Sequence, residues 1–367
     1  MASTDMKLSH ILRKAECGEP LSSLELQYLL GLSKPDELNQ VFKLARSLRN
    51  RYFENKVFLY SFIYFSTWCR NNCTFCYYRK SNRYPSRYRK TESEVLEAAM
   101  GAAESGVHLI DLTLGEDPFY YKRYGFSSLV ELAKKVKMNT GLPVMISPGV
   151  VPAQVLSELS LVGVDWYACY QETHNRELFK QLRIDQNYDL RFSNKQKAMH
   201  SGLLVEDGIL AGVGETLSDI AVSIKSMFRL GAHQVRVMSF VPQKGTPMEQ
   251  WQTPPRIREL LIIAVLRIVM PDRLIPASLD VDGIEGLQAR LNAGANVITS
   301  LIPPKLGLAG VAQSTKDINE GFRTVQGVIP VLKQMGMRAA SLEDYYGWVI
   351  REKEKLRMLQ SQEMRAL

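Results

Sequence analysis

Residues 57–84 read VFLYSFIYFSTWCRNNCTFCYYRKSNRY, and the order of events in this stretch sets the rest of the interpretation. Its first part, 57–67, is dense in β-branched and aromatic side chains, the pattern of a buried strand. Directly after the strand come Cys69, Cys73 and Cys76, three thiols presented from one tight loop. A chemical loop at the C-terminal end of a buried strand is how a parallel α/β sheet builds an active site.

Working outward, the same strand-then-helix sequence recurs. Strands are predicted over 57–67, 108–115, 143–149, 165–172, 203–212, 234–241, 274–282 and 295–302. Helices follow at about 92–104, 127–139, 152–162, from 193, and at about 217–230, 255–270, 284–293 and 315–336. Eight such units predict an α/β fold, a (β/α)8 TIM-type barrel with all strands parallel; an open doubly wound sheet is the alternative. Helical periodicity before residue 50 adds an N-terminal helical extension. The expected division is 1–54 helical extension, 55–340 barrel and 341–367 C-terminal helical tail, the last residues reading as a solvated helix or frayed end.

The 367 residues are 46% hydrophobic and 23% charged, values of a globular protein. The most apolar run, 260–270, is short and broken by Arg267, and the N-terminus carries no apolar segment. Neither a membrane span nor secretion is expected, and the location read from this is cytoplasmic. The net charge of +8 favours acidic partners, but most cations are dispersed and nucleic acid is disfavoured. One cluster stands out: Arg79, Lys80, Arg83, Arg87, Arg89 and Lys90, interleaved with Tyr77, Tyr78, Tyr84 and Tyr88. It suits single-stranded RNA or, preferably, a solvated loop packed over the cysteines.

The five cysteines, Cys17, Cys69, Cys73, Cys76 and Cys169, are odd in number and form no disulfide framework. Thiolates suit iron–sulfur clusters, zinc or copper(I). A four-iron cluster takes four protein thiolates when closed, so three leave one iron open to a small molecule. A structural zinc site needs a fourth ligand, and the next histidine, His108, falls in a strand candidate rather than beside the loop.

The spacing C-x3-C-x2-C, with the aromatic Phe75 before the last cysteine, resembles the radical S-adenosylmethionine (SAM) family in full, and it lies after the first strand as in that family. The resemblance implies a [4Fe-4S] cluster on Cys69, Cys73 and Cys76, S-adenosyl-L-methionine on the open iron, an external electron donor, and a 5′-deoxyadenosyl radical, with no catalytic side chain beyond these cofactors. Gly115-Glu116-Asp117 resembles the element that binds the SAM amino group, although these are also ordinary turn residues. Gly208-Ile-Leu-Ala-Gly212-Val-Gly-Glu215 resembles the element that packs the adenine, with Gly212 and Glu215 at its end. As in biotin-synthase-like members, Glu172 would bind the ribose and Arg183 the SAM carboxylate; Ser147 is a further candidate.

Three strands carry charge where a lumen should be apolar: Asp111, Arg236 and Asp280. Period-two alternation adds Ser278 and Asp282 to the face of Asp280. Buried charges need partners, either one another or a zwitterion. A diamino acid such as L-lysine has the matching groups, its carboxylate on Arg236 and its ammonium groups on Asp111 or Asp280. Over about residues 20–345 the chain resembles the lysine carbon-skeleton mutases grouped with biotin synthase and the radical SAM maturase of iron-only hydrogenase, which implies an isomerase that breaks and remakes a carbon–carbon bond. Two other readings stand beside it. A biotin-synthase-like enzyme acting on another small amino-acid-like substrate by sulfur insertion would need a second cluster, for which only the isolated Cys17 and Cys169 remain. A zinc-containing RNA-binding protein would be colourless.

Overall fold

The computed structural model describes residues 7–122, 124–302, 308 and 323–366. The first barrel strand is β1 (Lys56–Ser61) continued, after a break at Phe62, by β2 (Ile63–Ser66). There follow β3 (Ile110–Leu114), β4 (Val144–Ser147), β5 (Trp166–Ala168), β6 (Leu204–Ala211), β7 (Gln234–Ser239), β8 (Pro276–Ser278), β9 (Val297–Leu301) and the short β10 (Arg338–Ala339). Two parallel ladders, β2-β3-β4-β5-β6-β7 and β10-β1-β9-β8, are joined by bridges at Tyr60–Leu109 and Gln234–Leu274. At the second joint the Val235 N–H donates to the Leu274 carbonyl at 3.0 Å and the Leu274 N–H to the His233 carbonyl at 3.1 Å. With β1 and β2 as one, eight parallel strands form the (β/α)8 barrel. All their C-terminal ends therefore face the same way, which brings the cysteine loop, the turn after β3 and the ends of β4–β7 to one mouth.

The outer helices begin and end where local chemistry allows. The helix Glu92–Glu104 starts on a reciprocal capping box of Thr91 and Glu94, which satisfies backbone N–H groups that have no partner inside the helix. Leu217–Leu230 starts on the same device at Thr216 and Asp219 and ends on Gly231 at φ 72.

Several boundaries differ from expectation. The fourth strand shrinks to β5, and an unforeseen short helix, Arg176–Leu182, precedes Tyr188–His200. The seventh strand stops at Ser278, so alternation does not carry Asp282 inward; it turns outward to Arg256 and Arg290. Of the helix expected over 315–336, Val325–Gln334 is helical, and 315–322 lies outside the described residues. Arg267, which interrupts the apolar run, is fully buried and donates to the carbonyls of Gly294, Pro271 and Arg273 and to Asn296 Oδ1 at 2.7–2.9 Å. None of the described helices is long and apolar enough to cross a membrane.

The C-terminal tail is not a frayed end. Within the helix Leu342–Ala366, Tyr345, Trp348, Val349, Glu352 and Leu356 are buried, one stripe at helical spacing. Trp348 stacks on Trp166 of β5 with centroids 5.7 Å apart and planes within 4°, and the Tyr345 hydroxyl meets that of Tyr60 at 2.7 Å. This stripe plugs the barrel at the end opposite the mouth. Trp348→Ala should lower the unfolding free energy by about 3 kcal/mol or more, whereas Ile350→Ala, on the exposed side of the same helix, should change it by less than about 0.5 kcal/mol; chemical denaturation of the two variants checks this.

Candidate active site

At the mouth lies a cavity of about 260 Å³ lined by Cys69, Cys73 and Cys76, by Glu116, Ser147, Glu172, Arg183, Arg191 and Gly208, and below them by Tyr170 and Arg236. The cysteine loop is held from both sides. Gly115 packs under it so closely that a Cβ there would lie 2.3 Å from the Trp68 carbonyl oxygen, which is the physical need for glycine at that position. The Arg70 N–H donates to the Glu116 carbonyl at 2.9 Å.

The donor set fits a metal cluster. Burial pushes the Cys69 thiol up to about 11, and burial with the charges of the neighbouring thiols pushes Cys76 further. Three soft thiolates in a dry wall repel one another unless a cation joins them. Two groups already donate toward Cys73: Gln186 Nε2 at 3.1 Å and Arg183 Nη1 at 3.6 Å from Sγ. Hydrogen bonds to sulfur are among the means by which a protein sets the potential of an iron–sulfur cluster.

The predicted SAM-binding residues divide into two groups. Glu116, Ser147, Glu172, Arg183 and Gly115 line the cavity beside the thiols, and Phe75 joins them. Glu172 sits at φ 66, a strained conformation for a non-glycine residue, pinned because its N–H and carbonyl pair with Gly208 and Leu210 at 3.0 Å. Asp117, Gly212 and Glu215 do not line it. The Asp117 carboxylate is saturated by Arg89, Ser66 and the Phe119 N–H at 2.6–2.9 Å, a clamp between the turn and the segment after the cysteines. Gly212, at φ 91, makes room for Pro254, and Glu215 accepts the N–H groups of Gly212 and Val213 and pairs with Arg258. That element is a self-contained turn.

Two arginines at the cavity wall could serve as the carboxylate clamp. Arg183 is committed to Glu172 at 2.5 Å and to Gln186 at 3.2 Å. Arg191, not singled out in the sequence, donates Nε to the Tyr170 carbonyl at 2.7 Å, while its Nη1 is buried without a hydrogen bond, 3.5 Å from Glu116. Arg183 Nε is likewise buried without a hydrogen bond, so each of the two guanidinium groups at the cavity wall keeps an N–H suited to an incoming carboxylate.

Deeper in the lumen, Arg236 Nε donates to Glu206 at 2.7 Å and Nη1 to Thr299 at 3.3 Å, and Tyr170 donates its hydroxyl to the other Glu206 oxygen at 2.9 Å. Glu206 and Tyr170 were also missed, although Leu204, Glu206, Gly208 and Leu210 share one face of β6 by simple alternation. Arg236 thus already has a protein partner. Asp111 does not line the cavity; among the described residues its carboxylate accepts one hydrogen bond, from Thr113 Oγ1 at 3.0 Å, and burial together with the Glu206 charge pushes its carboxyl up to about 7, against the pull of Arg236. Asp280 and Ser278 do not line the cavity. Asp280 pairs with the buried Arg323 at 3.1 Å, and Ser278 faces Ser300 Oγ at 3.4 Å, so internal pairing, rather than a ligand, accounts for Asp280.

The Asp111 shift has a definite sign. Between about pH 4 and pH 7 the folded state keeps a proton that the unfolded state has lost, so rising pH destabilises the fold across that window by about 1.4 kcal/mol per unit. Asp111→Asn should flatten the stability profile there, measured by denaturation at several pH values. An ammonium ligand beside Asp111 should release a proton on binding near pH 6.5, seen as a dependence of calorimetric heat on the buffer.

A model of the radical SAM superfamily matches residues 63–227. A 3-methylornithine synthase of Methanosarcina acetivorans is 43% identical over 89% of this chain and 93% of its own length. The [FeFe] hydrogenase maturase subunit HydE of Thermotoga maritima is 31% identical over 70% and 74%. Among solved structures, a crystal structure of methylornithine synthase superposes with a TM-score of 0.88 at 42% identity, covering 92% of this chain and 99% of that one.

Proposed function

Because the chain belongs to the 3-methylornithine synthases of the radical SAM superfamily, we propose that it is an isomerase that converts L-lysine to (3R)-3-methyl-D-ornithine in pyrrolysine biosynthesis. The observation that carries the reading is one cavity with three thiols, Arg183 and Arg191 at the mouth and Arg236 beneath, Arg236 being backed by the buried Glu206 with Asp111 behind the wall.

Cys69, Cys73 and Cys76 hold the [4Fe-4S] cluster, with Gln186 and Arg183 donating to Cys73. When bound, the cluster and SAM supply the 5′-deoxyadenosyl radical that abstracts a substrate hydrogen. Arg191 or Arg183 would take the SAM carboxylate, and Glu172, paired with Arg183, would take the ribose. The isomerisation requires a hydrogen to be taken from lysine C4, the C2–C3 bond to break to a glycyl radical and an aminobutene, the fragments to rejoin at the other alkene carbon, and the resulting methylene radical to recover a hydrogen. The task of the chain is to keep both fragments oriented during the separation. Arg236 Nη2, with no protein hydrogen bond among the described residues, meets the substrate carboxylate; Asp111 meets an ammonium group and gives up its proton to do so. The closed lower end of the barrel keeps water from the radical intermediates.

Anaerobic reconstitution with iron and sulfide, followed by dithionite, SAM and L-lysine, should yield 5′-deoxyadenosine together with an isomer of lysine, identified by mass spectrometry. Deoxyadenosine without the isomer would move the chain to a different small substrate. Arg191→Met should weaken SAM binding by about 1.5–3 kcal/mol, while Glu206→Gln should leave SAM binding intact and raise the KM for lysine, since it loosens Arg236 and the Tyr170 hydroxyl and removes the charge that raises Asp111.

A further inference from the structure

Between Cys69 and Thr91 the chain carries seven basic residues and no acidic one. Most of these cations are paired within the fold. Arg87 donates to the carbonyls of Thr67, Tyr78, Arg79 and Asn82. Arg70, Arg89 and Lys90 pair with Glu116, Asp117 and Glu94, and Arg79 is buried. Lys80 and Arg83 remain exposed, with no ion pair among the described residues.

These two are fastened to the back of the cysteine loop. The Lys80 N–H donates to the Asn71 carbonyl at 2.7 Å and the Ser81 N–H to Asn72 Oδ1 at 3.0 Å; Asn71 and Asn72 lie between Cys69 and Cys73 in the chain. A third cation is held beside them. Asn82 Nδ2 donates to the Lys244 carbonyl at 2.8 Å, and the Lys244 ammonium lies over the Tyr84 ring at 4.5 Å. Gly245 permits this approach, since a Cβ there would lie 2.2 Å from Asn82 Oδ1. Lys80, Arg83 and Lys244, around the exposed Tyr84, therefore form a positive surface whose inner layer is the loop holding the three thiols.

We propose that this surface is the docking site of a small acidic electron-carrier protein, bearing a low-potential flavin or iron–sulfur group, which delivers one electron to the cluster assigned under the proposed function, the reading on which this rests. One electron leaves the reduced carrier and is gained by the cluster, and the oxidised carrier dissociates. Opposite surface charge speeds such an encounter without demanding a large or tight interface. Single-stranded RNA fits this surface less well, because the tyrosines do not offer stacking faces: Tyr78 is buried, Tyr88 is fixed by its hydroxyl to the Tyr64 carbonyl, and the Tyr84 ring carries Lys244.

The test uses reconstituted full-length protein and photoreduced flavodoxin, with cluster reduction followed by stopped-flow absorbance at low and high salt. For the native protein the bimolecular rate should fall steeply with salt. Lys80→Glu with Arg83→Glu should slow it about tenfold or more at low salt and remove most of the salt dependence, and Lys244→Glu should do the same in lesser degree. Reduction by dithionite should be unchanged in every variant, which also shows that the loop still folds. Equal flavodoxin rates in native protein and variants overturn the proposal. So does a result in which the variants lose binding of a fluorescent oligouridylate while the flavodoxin rate stands. Failure of the proposed function gives a different result: a cluster reduced normally by both reagents but no deoxyadenosine or lysine isomer.

Discussion

The guanidinium of Arg236 and the carboxylate of Glu206 meet at 2.7 Å inside the barrel, both shielded from water. Two charges placed there are costly unless paired, and removing one partner of such a pair typically costs about 3–5 kcal/mol. The surroundings are arranged to keep them paired. Tyr170 donates to the free Glu206 oxygen, and Gly208 leaves out a Cβ that would lie 3.1 Å from the Tyr170 ring and 3.3 Å from Arg236 Cβ. A second carboxyl, Asp111, then shares the same single cation and is held near the midpoint of its titration at neutral pH. Among the described residues two acids and one base meet here, which suits a ligand that brings positive charge.

The mouth solves a different problem, the fixing of an irregular loop without a helix or strand of its own. The solution is a set of clamps to neighbouring turns: Gly115 beneath the Trp68 carbonyl, Arg87 across four carbonyls, and Asp117 on Arg89 and Ser66. Much of the basic character that reads as an interaction patch in the sequence is this internal scaffolding. What remains on the outside is small, and it lies over the cluster loop.

The parallel barrel makes both arrangements possible. Parallel strands put every C-terminal end at one face, so groups from β2 through β7 converge there although they are far apart in the chain. The opposite end is closed by the helix Leu342–Ala366 through Tyr345 and Trp348. One end of the lumen is dry and packed, and the other carries the chemistry.

From the sequence alone the cysteine loop, the eight strand–helix units and the charged strand positions Asp111 and Arg236 were legible, because each depends on local spacing: thiols a few residues apart, alternation along a strand, periodicity along a helix. Tertiary structure alone decided the partners. Glu206 sits next to Asp207 in the chain, and only the barrel turns the first to Arg236 and the second to Lys195. Arg183 and Arg191 are equivalent as residue types, yet the fold sets the first against Glu172 at 2.5 Å and the second against Glu116 at 3.5 Å. Asp280 has the residue type of a ligand group, and the fold sets Arg323, 43 residues away, against it. A charge announces itself in sequence, but whether it is already neutralised depends on which distant side chain the fold brings within hydrogen-bond reach.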